Sequence, residues 1–282
     1  MKSGDYLQKK FQAWAQRRGT QLQGSVGDRG QPNYTLTLAD NLFEPLSEQA
    51  RREFENGAGD ELKRKMQALH SSSAMAVNLF HYWKRKGLFA EAAKALHIPS
   101  SGIKSISFER EYPVIADHQR HGFNEPPHLD VGIDYDSDIH RVGIECKLFE
   151  PYGRLDDKVL KKPYLDLTEA WRDIPNCRRL AEQLAGGPAG FRRLGPTQLI
   201  RHILGLKYGL TKERFRLIYL YLDAPGDEAG EHRAEIEKFR LIASGDEIRF
   251  IAVSVQEFIF HASELYRDAH CKYVDYLSGR YI

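Results

Sequence analysis

Residues 129–149 read LDVGIDYDSDIHRVGIECKLF, and this stretch decides the fold. Apolar and polar residues alternate on both sides of its centre, a pattern typical of half-buried strands. The centre is acidic and polar, and it predicts either a two-residue turn at Ser137 and Asp138 or a four-residue loop over 136–139. The stretch therefore predicts a β-hairpin with one strand on each side of this turn.

The turn fixes which residues of the two strands face each other. Both loop lengths place Asp130 opposite Glu145, whereas a shift of one residue would put these carboxylates on opposite faces of the sheet. The alternation also predicts that Leu129, Val131 and Ile133 share the apolar face. The other predicted pairs are Gly132 with Gly143, Asp134 with Arg141, Val131 with Ile144 and Ile133 with Val142.

Asp130, Glu145 and Lys147 share the polar face of this hairpin. Mg²⁺ in proteins binds a few carboxylate oxygens and keeps several waters, so Asp130 and Glu145 are candidate ligands, with the backbone carbonyl of Cys146 between them. Lys147 could orient or help to deprotonate a water that attacks phosphorus while the ion stabilises the developing charge. The pattern predicts phosphodiester cleavage with Mg²⁺, for which Mn²⁺ would substitute. The alternative is a solvated face whose charges only keep the sheet soluble.

These residues resemble the motif of the PD-(D/E)XK nuclease superfamily. Asp130 stands for the motif aspartate, with Leu129 where the name has proline, and Glu145-Cys146-Lys147 stands for the last three positions. The resemblance implies a metal-dependent nuclease acting on DNA and covers most of the chain from about residue 60 onward. Three stretches also resemble a bacterial family of uncharacterised restriction-endonuclease-like proteins: HSSSAMAVNLF at 70–80, PHLD at 127–130 and QLIRH at 198–202.

The resemblance also implies a third carboxylate, because superfamily members often add a glutamate from the first helix or first strand. The chain offers Glu61 at the start of a predicted helix, and Glu109 and Glu111 on a predicted strand over 106–114. We favour Glu109 as a catalytic residue and leave Glu61 and Glu111 open.

Some superfamily members carry Gln-x-x-x-Tyr on the helix after the motif strands. In this chain Gln198 is followed four residues later by His202 instead of tyrosine. Positions four apart share a helix face, so we expect Gln198, Arg201 and His202 to form a polar stripe. Gln198 would position the nucleic-acid strand, and Arg201 and His202 would contact its phosphates. The alternative for His202 is a purely structural role.

Residues 150–195 form a basic insert between the motif strand and the helix of Gln198. Lysine side chains bind phosphate backbones and aromatic rings stack on bases, so we expect this insert to contact DNA, with RNA left open. The alternative is a solvated connection with helix-surface charges. The residues singled out are Lys158, Lys161, Lys162, Arg172, Arg178, Arg179, Arg192 and Arg193 for phosphates, and Tyr152, Tyr164 and Trp171 for bases.

The order of the predicted helices and strands in this chain of 282 residues indicates an α/β fold. We expect a restriction-endonuclease-like core in which helices flank a mixed central sheet. We expect a mainly helical N-terminal extension over 1–59 and a PD-(D/E)XK nuclease-like domain over 60–282. The other predicted elements are helices over 60–86, 228–243 and 257–277 and strands over 215–223 and 248–255.

Composition narrows the function classes only a little. A net charge of +2 neither favours nor excludes a nucleic-acid protein. No apolar run approaches a membrane span, and three cysteines without metal spacing predict reduced thiols in the cytoplasm. We expect no membrane partner and leave a homodimer open. The rival functions are a non-catalytic nucleic-acid-binding or assembly module that retains the fold and, last, an enzyme that uses two carboxylates on a sugar.

Overall fold

The computed structural model describes residues 2–23, 32–57, 61–116, 123, 126–153 and 159–282. Its centre is a five-stranded mixed sheet in which the strands follow one another in chain order. The first three strands are antiparallel, and the last two are parallel to the third. The strands are β1 (Ile103–Glu111), β2 (His128–Tyr135), β3 (Arg141–Lys147), β4 (Phe215–Tyr221) and β5 (Phe250–Ser254).

Helices cover both faces of this sheet, and together with the helical N-terminal region they confirm the predicted α/β fold class. Among the described residues, no helix combines the length and apolar character needed to cross a membrane. The helices are α1 (Ser3–Arg17), α2 (Glu48–Asn56), α3 (Ser72–Lys86), α4 (Phe89–Ala95), α5 (Lys162–Leu165), α6 (Pro175–Leu184), α7 (Pro196–Lys207), α8 (Asp227–Gly245) and α9 (Val255–Tyr281).

The register of the central hairpin is the one predicted from its alternation. Val131 pairs with Ile144, Gly132 with Gly143, Ile133 with Val142 and Asp134 with Arg141. The next strand, β4, runs parallel to β3, and the crossover between them contains α5, α6 and α7. This crossover places α7 over the face of β3 that carries the motif residues.

The alternation on β2 breaks at Asp130, so the prediction that Leu129 shares a face with Val131 is wrong. Val131 lies in the core with α3 and α9, whereas Leu129 lies in the core with α7. On the neighbouring strand β1, Glu109 has a φ of 48°, in the left-handed region that is costly for a residue with a side chain. Both irregularities fall at candidate carboxylates.

The helix predicted over 60–86 is shorter than expected. Glu61 lies in a turn, and α3 begins only at Ser72. Ser71 precedes it and accepts a hydrogen bond from the Ala74 backbone N–H, as an N-cap should. The helix ends at Gly87, whose φ of 69° is easy for glycine. The other predicted elements correspond to β1, β4, β5, α8 and α9.

The N-terminal region packs into the same core as one face of the sheet. Phe11 and Trp14 of α1 belong to this core. Arg280 of α9 is fully buried, and its guanidinium donates hydrogen bonds to the backbone and side-chain carbonyls of Asn41, both at 2.7 Å. It also lies 4.3 Å from the centre of the Trp14 ring. The domain boundary predicted near residue 59 falls at 58–60, outside the described residues.

Helix α7 approaches the sheet closely because two glycines leave no side chain in the way. A Cβ on Gly205 of α7 would lie 2.5 Å from the backbone oxygen of Tyr112. A Cβ on Gly143 of β3 would overlap the side chains of Leu129 and Leu206. These contacts fix the height of α7 above the motif strand.

Gly205→Ala is expected to lower the free energy of unfolding by about 1–3 kcal/mol, because the added methyl group meets rigid backbone. Gly230→Ala on α8 is the matched control, since a Cβ there has nothing within 4 Å. It should raise the free energy of unfolding by about 0.5–1 kcal/mol through helix propensity. Urea denaturation of both variants measures the difference, and equal stabilities would contradict the close approach of α7.

Candidate active site

The motif strand β3 and helix α7 bring four candidate residues into one network. Lys147 Nζ lies 2.6 Å from Glu145 Oε1 and donates a hydrogen bond to Gln198 Oε1 at 3.0 Å. His202 Nε2 lies 2.8 Å from Glu145 Oε2. Because Gln198 and His202 are one turn apart on α7, the same helix contacts both the lysine and the glutamate of the motif.

Glu145 is ionised and Lys147 is protonated in this network. Burial alone would raise the pKa of Glu145, which is 3% exposed, but Lys147 and His202 outweigh burial and lower the pKa to about 2. Burial also opposes the charge of Lys147, yet the carboxylates of Glu145, Glu150 and Asp130 raise its pKa above the usual value. At neutral pH Lys147 is therefore a hydrogen-bond donor, not a base.

Asp130 reaches from β2 to the motif strand. Its Oδ2 accepts a hydrogen bond from the Cys146 backbone N–H at 2.6 Å. Burial and the negative charges of Glu145 and Glu109 raise the pKa of Asp130 well above its usual value, against the opposing effect of Lys147. Repulsion among these carboxylates is what a bound divalent cation relieves.

Two of the three candidate glutamates lie near this cluster. Burial, followed by the charges of Glu61 and Glu145, raises the pKa of Glu109 to about 7. Glu61 and Glu109 are therefore close enough to repel each other, and Glu109 also faces Glu145. Glu111 is 52% exposed, and its carboxylate lies 3.6 Å from the ring of His128. The structure thus separates Glu111 from the other two.

The donor chemistry of this cluster fits a divalent cation. Asp130, Glu145 and Glu109 offer carboxylate oxygens, which are the ligands that Mg²⁺ prefers. Within the described part of the chain, no group of three or more His, Cys, Asp or Glu side chains is placed to hold a metal ion. Both oxygens of Glu145 instead face Lys147 and His202, so an ion at Glu145 must share an oxygen with one of these partners.

His202 does not lie on the surface of α7, where a phosphate contact would need it. Its ring is 2% exposed because it turns inward to the buried carboxylate of Glu145. Arg201, next along α7, is half-buried and donates a hydrogen bond to the Tyr164 hydroxyl at 2.8 Å. Gln198 likewise turns inward, to Lys147. The predicted polar stripe is thus divided between the site and the surface.

The basic insert also divides into surface and core. Lys161 and Lys162 are exposed at the start of α5, whereas Lys158 lies outside the described residues. The prediction that the insert's aromatic rings are open to bases is wrong, because these rings pack in the hydrophobic cores. The exposed fractions are 7% for Tyr152, 3% for Tyr164 and 4% for Trp171.

Sequence reasoning missed Glu150 and the serines that begin α3. Glu150 accepts a hydrogen bond from the Ser72 hydroxyl at 2.7 Å and bonds from two backbone N–H groups at 2.9 Å. The Ser73 hydroxyl donates a hydrogen bond to Glu61 at 3.0 Å. A serine-rich helix start before an apolar run is a recognisable capping signal, but nothing local connects it to the carboxylates. The first turn of α3 therefore contacts Glu150 through Ser72 and Glu61 through Ser73.

A family model described as Restriction Endonuclease associating with ARP matches residues 8–282. The chain belongs to this family. Comparisons with curated proteins and with solved structures gave no match. Membership supports a restriction-endonuclease-like protein with a nuclease-like role, which is the coarser part of the predicted resemblance.

Glu109→Gln is expected to flatten the pH dependence of stability in EDTA between about pH 4.5 and 7. The folded state raises the pKa of Glu109 from 4.5 to about 7, so it holds this proton more tightly than the unfolded chain. Stability present below pH 4.5 is therefore lost as the pH rises through this window. The loss is at most about 1.4 kcal/mol per pH unit and is reduced by solvent screening.

Thermal unfolding across this window measures the slope for the wild type and the variant. Glu111→Gln is the matched control, because it removes a carboxylate from the same strand at a position that is 52% exposed. Equal slopes for the wild type and Glu109→Gln would show that Glu109 does not face the other carboxylates.

Proposed function

We propose that this protein is a Mg²⁺-dependent nuclease that hydrolyses phosphodiester bonds in DNA, of a bacterial defence or DNA-processing type, with Mn²⁺ able to substitute. The observation that carries the proposal is the gathering of Asp130, Glu145 and Lys147 at one place on the sheet, beneath Gln198 of α7. The nuclease-like role of the family supports it.

Asp130, Glu145 and the backbone carbonyl of Cys146 would hold the metal ion, with Glu109 adding negative charge nearby. The support is the raised pKa of Asp130 and of Glu109, which burial causes first and the negative charges of neighbouring carboxylates increase. Bound Mg²⁺ supplies stabilisation of the charge on phosphoryl oxygens and lowers the pKa of a water.

Lys147 would act as a donor in this reaction. An ammonium group has three N–H donors; one faces Glu145 and one bonds Gln198. The third would serve a phosphate oxygen or the attacking water, whose orientation it would fix. Gln198 is then a positioning residue that holds the ammonium rather than a direct contact to the strand.

Arg201, Lys161 and Lys162 would contact the phosphates of the DNA. Arg201 directly precedes His202 on α7. Its bond to Tyr164 connects α7 to α5, which begins at Lys162 with Lys161 just before it. Cations at these positions extend the site along a nucleic-acid backbone. For His202 a direct phosphate contact has no support, because the ring is buried.

A non-catalytic binding or assembly module is the second candidate. It is favoured by the pairing of Glu145 with Lys147 and His202, which leaves no ready group of three metal ligands among the described residues. The family description, which speaks of associating with ARP, also suggests a partner of that type. Such a module would need no Mg²⁺, so calorimetric titration with Mg²⁺ of the wild type and of Asp130→Asn separates the two candidates.

Lys147→Ala is expected to reduce DNA cleavage by about a hundredfold or more, the usual effect of removing a donor from a charged transition state. Cleavage of single- and double-stranded DNA is measured with Mg²⁺, Mn²⁺ or EDTA. Lys94→Ala on α4 is the control, because Lys94 is exposed and lies outside the site. Similar behaviour of the wild type and Lys147→Ala in every condition would refute the catalytic assignment.

Replacing Lys161 and Lys162 together with alanine is expected to weaken DNA binding at all sequences. The slope of log affinity against log salt should fall by about 1–2, as for the loss of two phosphate contacts. Fluorescence anisotropy at several salt concentrations measures it, with Lys94→Ala combined with Lys104→Ala as an equal change in charge. An equal slope in the Lys161/Lys162 double variant and in the Lys94/Lys104 double variant would show that the DNA does not contact Lys161 and Lys162.

A further inference from the structure

Helix α7 covers Glu145, the buried carboxylate of the motif strand. His202 Nε2 lies 2.8 Å from Glu145 Oε2, and these side chains are 2% and 3% exposed. The other oxygen, Oε1, faces Lys147 at 2.6 Å. Because both oxygens have partners within the protein, a phosphate or an ion reaches Glu145 only by sharing an oxygen or displacing a partner. Lys147 belongs to the same strand as Glu145, so the partner that can withdraw is His202 together with its helix.

The ring of His202 is held in place at one nitrogen. Nε2 faces Glu145, whereas Nδ1 is buried and has no hydrogen-bond partner among the described residues. Buried polar atoms are normally satisfied, so Nδ1 would gain a water partner if the ring became exposed. This gain offsets part of the free energy that is needed to separate His202 from Glu145.

The surroundings of α7 allow the part of the helix that precedes Gly205 to lift. Gly195 comes directly before the helix, and Gly209 follows it with a φ of 71°. Glycine accommodates a change of backbone angles more readily than other residues. Gly205 lies against the backbone of Tyr112 and would act as the pivot. Beyond this pivot, Lys207 lines a cavity of about 690 Å³, which leaves that end of the helix room to shift.

A contact between Arg201 and Tyr164 fixes α7 to α5. Arg201, next to His202, donates a hydrogen bond from Nε to the Tyr164 hydroxyl at 2.8 Å, and its guanidinium lies 5.5 Å from the centre of the Tyr164 ring. The exposed Lys161 and Lys162 lie at the start of α5. A phosphate accepts a guanidinium hydrogen bond more strongly than a neutral hydroxyl does. DNA that binds these two lysines therefore competes with Tyr164 for Arg201.

We propose that α7 is an autoinhibitory element whose His202 covers Glu145 in the free protein. A phosphate of bound DNA draws Arg201 away from Tyr164, the part of the helix before Gly205 lifts, and Glu145 becomes accessible. The inference rests on the proposed function and adds the regulation of the same site. It agrees with the lack, within the described residues, of a group of three or more side chains placed to hold a metal ion.

Two variants release the contact between α7 and α5 without a change in the motif strand. Tyr164→Phe removes the hydroxyl that accepts from Arg201, and Arg201→Gln removes the guanidinium. The matched control is Tyr152→Phe, which also removes a hydroxyl that donates a short hydrogen bond. That bond goes to the Leu222 carbonyl at 2.6 Å and not to α7.

The accessibility of His202 is measured on the free full-length protein in EDTA. Diethyl pyrocarbonate acylates exposed histidine rings, and peptide mass spectrometry gives the rate at each histidine. In the wild type, His202 should react as slowly as the buried His81 and far more slowly than the exposed His97. Loss of one hydrogen bond to a charged group should raise the rate at His202 about tenfold in both release variants, but not in the control. A rate at His81 that stays low shows that each variant is folded. Unchanged protection of His202 in both release variants would overturn its role as a cover.

The affinity for DNA should change in opposite directions in the two release variants. Tyr164→Phe keeps the guanidinium of Arg201 and frees it from its partner, so this variant should bind a short duplex in EDTA about three- to tenfold more tightly than the wild type. Arg201→Gln should bind more weakly, because it loses a phosphate contact. Fluorescence anisotropy measures both affinities. An affinity of Tyr164→Phe equal to or below that of the wild type would overturn release by DNA, since a purely structural tyrosine predicts that result.

Neither measurement needs Mg²⁺ or cleavage of DNA. A wild type that cleaves no DNA with Mg²⁺ or Mn²⁺ would refute the proposed nuclease, whatever the reactivity of His202. A wild type that cleaves DNA while His202 stays protected in both release variants would refute the autoinhibition alone. The two ideas therefore fail separately.

Discussion

The site depends on one buried charge, the carboxylate of Glu145. Removing a carboxylate from water costs several kcal/mol unless its oxygens find close partners. Lys147 on the same strand meets one oxygen and His202 on α7 meets the other. Because the second partner comes from a helix, the position of that helix is coupled to the ionisation of the motif. The close approach at Gly143 and Gly205 makes this geometry possible.

The hairpin could be predicted because the residues that determine its register lie close together in the sequence. Apolar residues at every second position of a strand share one face, and a slip of one residue would move all of them to the opposite face of the sheet. This condition alone was enough to give the register from Val131 to Asp134, whereas the predicted pair of Asp130 with Glu145 lies outside the observed register. The class of fold followed from the order of strands and helices in the same way. The hairpin register and the fold class both follow from the periodicity of apolar residues along the chain and do not depend on contacts between distant residues.

The remaining features depend on contacts that have no local signal. The residues next to Glu109 in the sequence do not predict its left-handed φ, which glutamate adopts only when the surrounding structure imposes it. His202 reads as a surface residue on a helical wheel, since only the fold shows that Glu145 lies under it. The rings of Tyr164 and Trp171 were expected to face bases, but the space between α5, α6 and α7 had to be filled by apolar groups.

Arg280 has a consequence for the order in which the molecule assembles. Its guanidinium donates a hydrogen bond to Asn41, 239 residues earlier in the chain. The same guanidinium lies over the ring of Trp14 in α1. During synthesis the N-terminal segment leaves the ribosome long before this partner exists. Contacts of such long range form late and slow the folding of a chain. Helix α1 therefore cannot complete these contacts until α9 has been synthesised.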